Sequence, residues 1–456
     1  MKLLLKGGKV VGPKGTKNAD VLIENEKIVE VGKDIKCDDA ETVDISGRLI
    51  FPGFIDAHTH FDLEVAGTVT ADDFESGSKS ALAGGTTTII DFATQNAGET
   101  LKYGYDRWVQ KSKGRTSCDY GFHMAVSEWN ETVKKEIPQM IKRGVTSFKV
   151  YMTYSNMVKD EEIFDILKTV NKYGGIVGVH CESDGIIKGL VKEKKRAKQN
   201  GVSSHPLTRP ALAEAEAVNR LSRIAEAANV PVIVVHLSTE EGYKEIMAAR
   251  KRGVKIYAET CPQYLALDDS VYFAKGFSGA KYVCAPPLRK ISDSECLWKA
   301  LKKGDIDTVS TDHCSFTLRQ KEMGKGDFTK IPGGMPGVAT RAGIMYTYGV
   351  CGGKITLGDM VRLMCENPAK LYGIYPQKGV IEAGSDADLV IFDPDKQKKI
   401  TEADTLSRAG YTPFEGIIQN GVIEAVYLRG EKVYDGKEVV KPYRGKFLKR
   451  STERGV

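Results

Sequence analysis

The chain has 456 residues, of which 41% are hydrophobic and 28% are charged, fractions that are ordinary for a globular protein longer than one typical domain. Its net charge of +6 comes from basic and acidic residues that alternate along the chain, and we find no basic patch within a recognisable nucleic-acid-binding module, so we expect no nucleic-acid partner. No apolar run approaches a membrane span, and nine cysteines without a CxxC pair favour a reducing cytoplasm, so we expect a cytoplasmic protein without a membrane partner.

The N-terminal part predicts short strands separated by glycine turns. The strand segments are KLLLKGGKVV, DVLIENEKIVEVG and ETVDISGRLI. None of them shows helical periodicity, so we expect residues 1–52 to be all β.

The central part predicts eight strands that alternate with helices. The strand segments are FIDAH, TTTIID, YGFHMAV, SFKVY, GIVGVH, VIVVH, KIYAE and DTVST. Helical segments such as PALAEAEAVNRLSRIAEAAN lie between them. Eight strand–helix units indicate an α/β fold, a (β/α)8 TIM-like barrel over residues 53–371.

The C-terminal part again predicts strands, in GVIEAGSDADLVIFDP and IEAVYLRGEKVYDGKEV. Because half-sets of strands lie at opposite ends of the chain, we predict one small β-sandwich formed by both termini, residues 1–52 and 372–456. The basic tail KPYRGKFLKRSTERGV is interpreted as a solvated end or a subunit contact.

Four of the seven histidines and one aspartate follow the apolar segments of the central part. They are His58, His60, His180, His236 and Asp312. In a parallel α/β barrel the carboxyl ends of the strands face the active site, so separate strands can bring these side chains together. Residues i and i+2 of a strand point to the same face, so the His-x-His pair can bind one metal ion. His180 and His236 can bind a second.

Lys149 lies in the fourth strand segment, TSFKVYMTY, at whose end no Glu or Asp occurs. Two cations about 3.5–4 Å apart need an anionic bridge, and an ammonium group has no lone pair to offer. A buried lysine with a lowered pKa is nucleophilic, however, and could capture carbon dioxide to become a carbamate, N6-carboxylysine. The alternative is a lysine whose amine reaches solvent from the strand end.

Several longer stretches extend these patterns. They are FPGFIDAHTHFD, TADDFESGSKSALAGGTTTIIDFA, SFKVYMTY, VHCESDG, VVHLST, ETCPQYL, VCAPPLR and STDHCSF. Through them the chain resembles the cyclic amidohydrolases of the hydantoinase and dihydropyrimidinase group over nearly its full length. The resemblance implies a barrel plus sandwich, assembled as a homotetramer (or homodimer), with two zinc ions bridged by carbamylated Lys149 and a hydroxide.

The resemblance also implies a role for each site residue. His58, His60 and Asp312 would bind one zinc ion, His180 and His236 the other, and Lys149 both. The hydroxide would attack a ring amide, with Asp312 as the proton shuttle. Tyr154 matches the tyrosine that stabilises the oxyanion, and the alternative is an ordinary loop aromatic. Backbone groups near Cys284 and Gly333 would bind the ring.

The substrate is predicted from one charge. Dihydroorotase relatives usually carry arginine two residues after the second histidine, where this chain has Asp62. An aspartate would repel an anion, so we expect a neutral cyclic ureide that is hydrolysed to an N-carbamoyl amino acid. The segment LEVAGTVT, which is expected to line the pocket for the exocyclic substituent, departs from the usual Met-Pro-Phe-Gly-Gly pattern and leaves the substituent preference open. The sequence does not choose between hydantoins and dihydropyrimidines.

Two alternatives remain. An allantoinase-like ureide hydrolase would use a similar metal set, and Tyr154 argues against it. A non-catalytic scaffold of the collapsin response mediator type would have lost metal ligands that this chain keeps.

The remaining histidines and the cysteines near the site are interpreted as supporting residues. We expect His123 in the core or behind the metal ligands, His205 in a loop, and His313 either ordering Asp312 or packing in the core. The wall cysteines are Cys181, Cys261 and Cys314.

Overall fold

The computed structural model describes residues 2–455. Within this range the strands are β1 Lys2–Lys6, β2 Lys9–Gly12, β3 Gly15–Asn18, β4 Asp20–Glu24, β5 Lys27–Gly32, β6 Glu41–Asp44, β7 Leu49–Pro52, β8 Phe54–Thr59, β9 Glu64–Val65, β10 Thr68–Val69, β11 Thr86–Thr94, β12 Asp119–Ala125, β13 Ser147–Tyr151, β14 Ile176–His180, β15 Val232–Val234, β16 Ile256–Thr260, β17 Thr308–Val309, β18 Leu389–Lys399, β19 Ile418–Leu428 and β20 Glu431–Tyr434.

The α-helices of the same range are α1 Phe74–Ala83, α2 Leu101–Ser112, α3 Glu131–Lys142, α4 Asp160–Lys172, α5 Asp184–Arg196, α6 Ser204–Thr208, α7 Ala211–Ala228, α8 Glu240–Lys251, α9 Pro262–Ala266, α10 Ile291–Lys303, α11 Leu318–Lys321, α12 Arg341–Ile344, α13 Leu357–Val361 and α14 Asn367–Leu371. Short 3₁₀ turns occupy Asp269–Phe273, Ser278–Tyr282, Glu322–Gly324, Phe328–Lys330 and Glu402–Thr405, and π-helical segments occupy Met345–Cys351 and Arg362–Glu366. None of the helices within residues 2–455 combines the length and apolar character that a membrane crossing requires.

The eight predicted central strands form one parallel sheet in the order β8, β11, β12, β13, β14, β15, β16, β17. The sheet closes where Thr59 pairs in parallel with His313, which follows β17. Arg341 strengthens this seam, because its fully buried guanidinium donates to the carbonyls of Ile55 (2.7 Å) and Val309 (2.9 Å) on the two end strands. The predicted (β/α)8 barrel is therefore confirmed.

The helices cover the barrel through apolar stripes, as α3 illustrates. Asn130 caps the helix by accepting from the N–H groups of Thr132 and Val133. Val133, Ile137 and Met140 are buried at the i, i+4, i+7 spacing of one helix face. This face packs into the core that the helices share with the barrel strands.

The terminal strands form two further sheets, of order β5-β4-β1-β6 and β20-β19-β18-β7-β2-β3. The second sheet joins the termini, because Ile391 of β18 pairs with Ile50 of β7. Leu5, Val21, Ile50 and Leu389 from the two sheets are fully buried in one apolar cluster. The β-sandwich formed by both termini is thus confirmed, while its bounds at 1–52 and 372–456, and those of the barrel at 53–371, stay predictions.

The basic tail packs against the amino-terminal ends of the barrel strands. Leu448 N–H donates to the Tyr120 carbonyl (2.7 Å), and the Arg450 guanidinium donates to Ser147 Oγ (2.8 Å) at the start of β13. Arg450 is only 3% exposed. The interpretation of the tail as a solvated end is therefore wrong for this part of it.

Candidate metal centre

The predicted ligands meet at the carboxyl-terminal end of the barrel. His58 and His60 lie at the end of β8, His180 ends β14, His236 lies two residues after β15, and Asp312 lies three residues after β17. The four histidines are at most 7% exposed, and the side chain of Asp312 is 13% exposed. The imidazoles therefore form the buried part of one site, and the Asp312 carboxylate forms its partly exposed side.

His58, His60 and Asp312 form the tightest group. Asp312 Oδ1 lies 3.2 Å from His58 Nε2 and 3.1 Å from His60 Nε2. Burial would raise the pKa of Asp312, but the neighbouring His58 and His60 lower it to about 2. Two imidazole nitrogens and an ionised carboxylate can together hold a metal ion.

His180 and His236 form a second group beside the first. Nδ1 of His180 lies 2.9 Å from Nε2 of His236. The ring of His236 is centred 5.5 Å from that of His58, so both groups belong to one site. Left-handed backbone at His236 (φ +40°) and Asp312 (φ +52°) turns the chain just after the barrel strands.

Lys149 lies between the walls of the barrel and is 1% exposed. Lys149 in β13 pairs with Gly178 in β14. Gly178 has no side chain that could fill the space next to the lysine. Burial lowers the pKa of the Lys149 amine to about 8, against the opposing effect of Asp312 and Glu259. The alternative of an amine that reaches solvent is excluded, and the neutral form accessible near this pKa is the one that can react with carbon dioxide.

The hydrogen bonds around the imidazoles test whether these residues fit a metal ion. Nδ1 of His58 lies 2.6 Å from Glu259 Oε1, and Nε2 of His180 lies 2.8 Å from Glu182 Oε2. Within residues 2–455, Nδ1 of His236 makes no hydrogen bond, and Nε2 of His58 makes none either, although Asp312 Oδ1 lies 3.2 Å from it. A carboxylate behind one ring nitrogen directs the lone pair of the other toward a metal, so the donor set fits a divalent cation.

Two carboxylates lie behind these ligands, and neither was predicted from the sequence: Glu259 and Glu182. Glu259 lies in β16, and Glu182 follows His180 by two residues. Burial would raise the pKa of Glu182, but Arg209 and His180 hold it at about 2. The strand-end rule that identified the histidines would also have found these glutamates, which stand in ETCPQYL and VHCESDG.

Tyr154 lies at the edge of the site in a left-handed conformation (φ +80°). Its ring centre is 5.1 Å from that of His180, and the guanidinium carbon of Arg209 lies 5.2 Å from the Tyr154 ring centre. Burial raises the pKa of Tyr154, so its hydroxyl stays protonated at neutral pH and can donate a hydrogen bond.

Cys284 and Gly333 offer free backbone groups. The Cys284 carbonyl accepts from His205 Nε2 (2.7 Å), but among residues 2–455 its N–H and both peptide groups of Gly333 have no hydrogen-bond partner. Gly333 is exposed, whereas Cys284 is buried. His205 was expected in a loop, and that expectation is wrong, because the residue is buried in α6.

The other histidines do not join the ligands. Both ring nitrogens of His123 are used, by Ser147 Oγ (2.6 Å) and by the Ala57 carbonyl (2.9 Å), so the residue belongs to the core behind the site. Nε2 of His313 lies 3.0 Å from Asp72 Oδ2. This contact orients the chain next to Asp312. For all three cysteines expected in the wall, which are Cys181, Cys261 and Cys314, burial raises the thiol pKa.

The Asp62 carboxylate has its own partners. It accepts from Phe74 N–H at the start of α1 (3.3 Å) and lies 3.7 Å from the Arg115 guanidinium. Because Arg115 offsets part of the charge, Asp62 repels an anion less strongly than the sequence suggested. The neutral substrate therefore stays a prediction.

The fold and the site define a (β/α)8 barrel protein with a group of histidines and a carboxylate that could hold a metal ion at the carboxyl ends of its strands. The sequence matches the family model described as "Amidohydrolase family" over residues 49–433. The chain therefore belongs to the amidohydrolase family, which is metal-dependent.

Individual relatives are similar over their whole length. The chain is 42% identical to a D-hydantoinase of Geobacillus stearothermophilus, covering 99% of this chain and 97% of the relative. It is 37% identical to a D-phenylhydantoinase of Escherichia coli, covering 99% and 98%. The crystal structure of a dihydropyrimidinase from Brevibacillus agri matches with a TM-score of 0.98 at 41% identity, covering 99% of each chain.

Proposed function

We propose that this protein hydrolyses the cyclic amide bond of hydantoins or dihydropyrimidines to give N-carbamoyl amino acids. The observation that carries the proposal is the group of His58, His60 and Asp312 beside His180 and His236, in a chain 42% identical to a D-hydantoinase. The substrate is proposed to be a small neutral cyclic ureide.

The proposed cofactor is a pair of divalent metal ions, with zinc as the ion that imidazole and carboxylate donors favour. His58, His60 and Asp312 would hold one ion, and His180 and His236 the other. Lys149 would contact both as N6-carboxylysine, formed when its neutral amine attacks carbon dioxide and loses a proton. When bound, the ions supply a hydroxide nucleophile at neutral pH and polarise the ring carbonyl.

The chain's own groups perform the remaining work. Asp312, ionised and partly exposed, accepts the proton of the nucleophile and delivers it to the ring nitrogen as the C–N bond breaks. The Tyr154 hydroxyl donates to the oxyanion that forms when the new C–O bond is made. The free backbone groups of Cys284 and Gly333 bind the ring's own amide groups.

The alternatives predict different behaviour. A scaffold of the collapsin response mediator type would purify without stoichiometric metal. The close approach of the candidate ligand atoms argues against such a scaffold. An allantoinase-like enzyme would prefer allantoin. We also propose that the protein is a cytoplasmic homotetramer, with a homodimer as the alternative; all nine cysteines are free thiols, which suits a reducing compartment.

The test is a substrate panel. Hydantoin, 5-phenylhydantoin, dihydrouracil, allantoin and dihydroorotate are incubated with the metal-loaded protein, and ring opening is followed by the appearance of the open-chain product. Protein treated with a chelator is the matched control. We expect turnover of hydantoins or dihydrouracil that disappears on chelation and returns with zinc. Preference for allantoin or dihydroorotate, or no turnover at all, would contradict the proposal.

A further inference from the structure

Lys321 is a fully buried lysine outside the metal centre. It ends α11 and its side chain is 0% exposed. Its ammonium group donates to three backbone carbonyls, those of Val283 (2.8 Å), Pro332 (2.7 Å) and Gly334 (2.7 Å). All three donors of the amine are therefore used by peptide groups.

These three carbonyls belong to two separate loops, and they flank the two residues with free backbone groups. Val283 precedes Cys284, and Pro332 and Gly334 stand on either side of Gly333. The loops also touch directly through the Gly334 N–H, which donates to the Val283 carbonyl (2.9 Å). Lys321 thus connects the two loops through carbonyls that neighbour Cys284 and Gly333, the residues whose backbone groups are unpaired.

The surrounding contacts leave the loops little freedom. A Cβ at Gly334, where φ is +149°, would collide with the Cys314 carbonyl, so the loop lies against the chain just after Asp312. His205 Nε2 holds the Cys284 carbonyl from the other side (2.7 Å). Burial lowers the pKa of the Lys321 amine to about 7. The three carbonyl acceptors oppose this effect, because only the charged amine has three N–H donors to match them.

We propose that Lys321 is a positioning residue that sets the distance and orientation between the Cys284 N–H and the Gly333 peptide groups, and so defines how the substrate ring is held. The proposal rests on the proposed function, because it takes those backbone groups as the ring's binding partners. Among residues 2–455, the hydrogen bonds of Lys321 go to these carbonyls and not to a proposed metal ligand, so its effect is expected on ring binding and not on metal content.

The first test is Lys321→Met, which removes all donors and keeps an unbranched side chain of similar length. We expect KM for the preferred ureide to rise at least about tenfold while kcat falls less than about threefold, because the loops lose charge-assisted bonds and the chemistry stays at the metal centre. Metal content should equal that of the wild type. Lys325→Met, an exposed lysine four residues further on, is the matched control and should keep the wild-type KM within about twofold.

A merely structural role would lower the melting temperature without this split between KM and kcat. A folded, fully metallated Lys321→Met protein with wild-type KM would overturn the proposal. If Lys321→Met fails to fold, Lys321→Gln, which retains two N–H donors, should still raise KM above that of Lys325→Met. A wild-type KM in folded Lys321→Gln would then overturn the proposal.

Amide hydrogen exchange separates this proposal from the proposed function. Peptides covering 281–285 and 331–335 should exchange faster in Lys321→Met than in Lys325→Met, because Lys321 no longer restrains their carbonyls. Unchanged exchange in both peptides would overturn the role of Lys321. A wild-type protein inactive on every ureide would instead refute the proposed function, while the exchange result would still report on the loops.

Discussion

Glu259 holds His58 from behind, with 2.6 Å between Glu259 Oε1 and His58 Nδ1 in a fully buried contact. The same carboxylate oxygen accepts from the His236 backbone N–H (3.3 Å). One glutamate therefore contacts a histidine from each of the two ligand groups, so it can couple the geometry of the two proposed metal positions.

Burial raises the pKa of Glu259 to about 7, so this group can still ionise beside a bound metal ion, whereas an amide cannot. Glu259→Gln is therefore expected to weaken metal binding about 10- to 100-fold. The measurement is metal retained after dialysis against a graded series of chelator concentrations. Glu295→Gln, at an exposed position of α10, is the control. Equal retention by the two variants would show that Glu259 does not support the ligands.

Lys149→Ala is expected to lose both proposed metal ions and activity, because this side chain would supply the anionic bridge between them. Short carboxylic acids added to the variant should restore part of both by supplying a carboxylate in place of the carbamate. The measurements are elemental analysis and turnover with and without the acid. A fully metallated and active Lys149→Ala protein would refute the bridging role.

Tyr154→Phe removes one hydroxyl and should leave metal content unchanged. Loss of one oxyanion donor predicts a fall in kcat of about 100- to 1000-fold. Tyr103→Phe is the control, since Tyr103 is 61% exposed on α2. Wild-type turnover in Tyr154→Phe, with the chemical step shown to limit the rate, would remove the oxyanion role from Tyr154.

Asp72 predicts a dependence of stability on pH. Burial would raise its pKa, but contacts with His313 and Ser407 hold the pKa well below the usual range. A lowered folded-state pKa means that the stabilisation is present above the unfolded pKa of about 3.9 and is lost as the pH falls below it. The wild-type melting temperature should therefore decrease as the pH drops below about 4.

The variant Asp72→Asn should melt at a lower temperature at pH 7 and show a shallower decline toward acid pH. Asp38→Asn, at an exposed position, is the control and should follow the wild-type curve. Parallel curves for Asp72→Asn and the wild type would show that this carboxylate does not carry the acid sensitivity.

The barrel and the meeting of the candidate ligands could be predicted from the sequence alone. Apolar runs of strand length that alternate with amphipathic helices indicate which segments are strands, and position after a run identifies the strand end. Such patterns are local, so they can be recognised without knowing which segments pack against each other in the fold. They were sufficient to bring His58, His180 and Asp312 to one point, although those residues lie far apart in the chain.

The supporting residues were decided by the tertiary structure. Glu259 meets His58 across 201 positions, and Arg450 meets Ser147 across 303. Such contacts depend on how strands are paired and where loops and the tail return, and no local periodicity encodes that. Lys321 shows the same limit. It stands among charged residues in the sequence, and only the return of two loops over its amine buries it against three carbonyls.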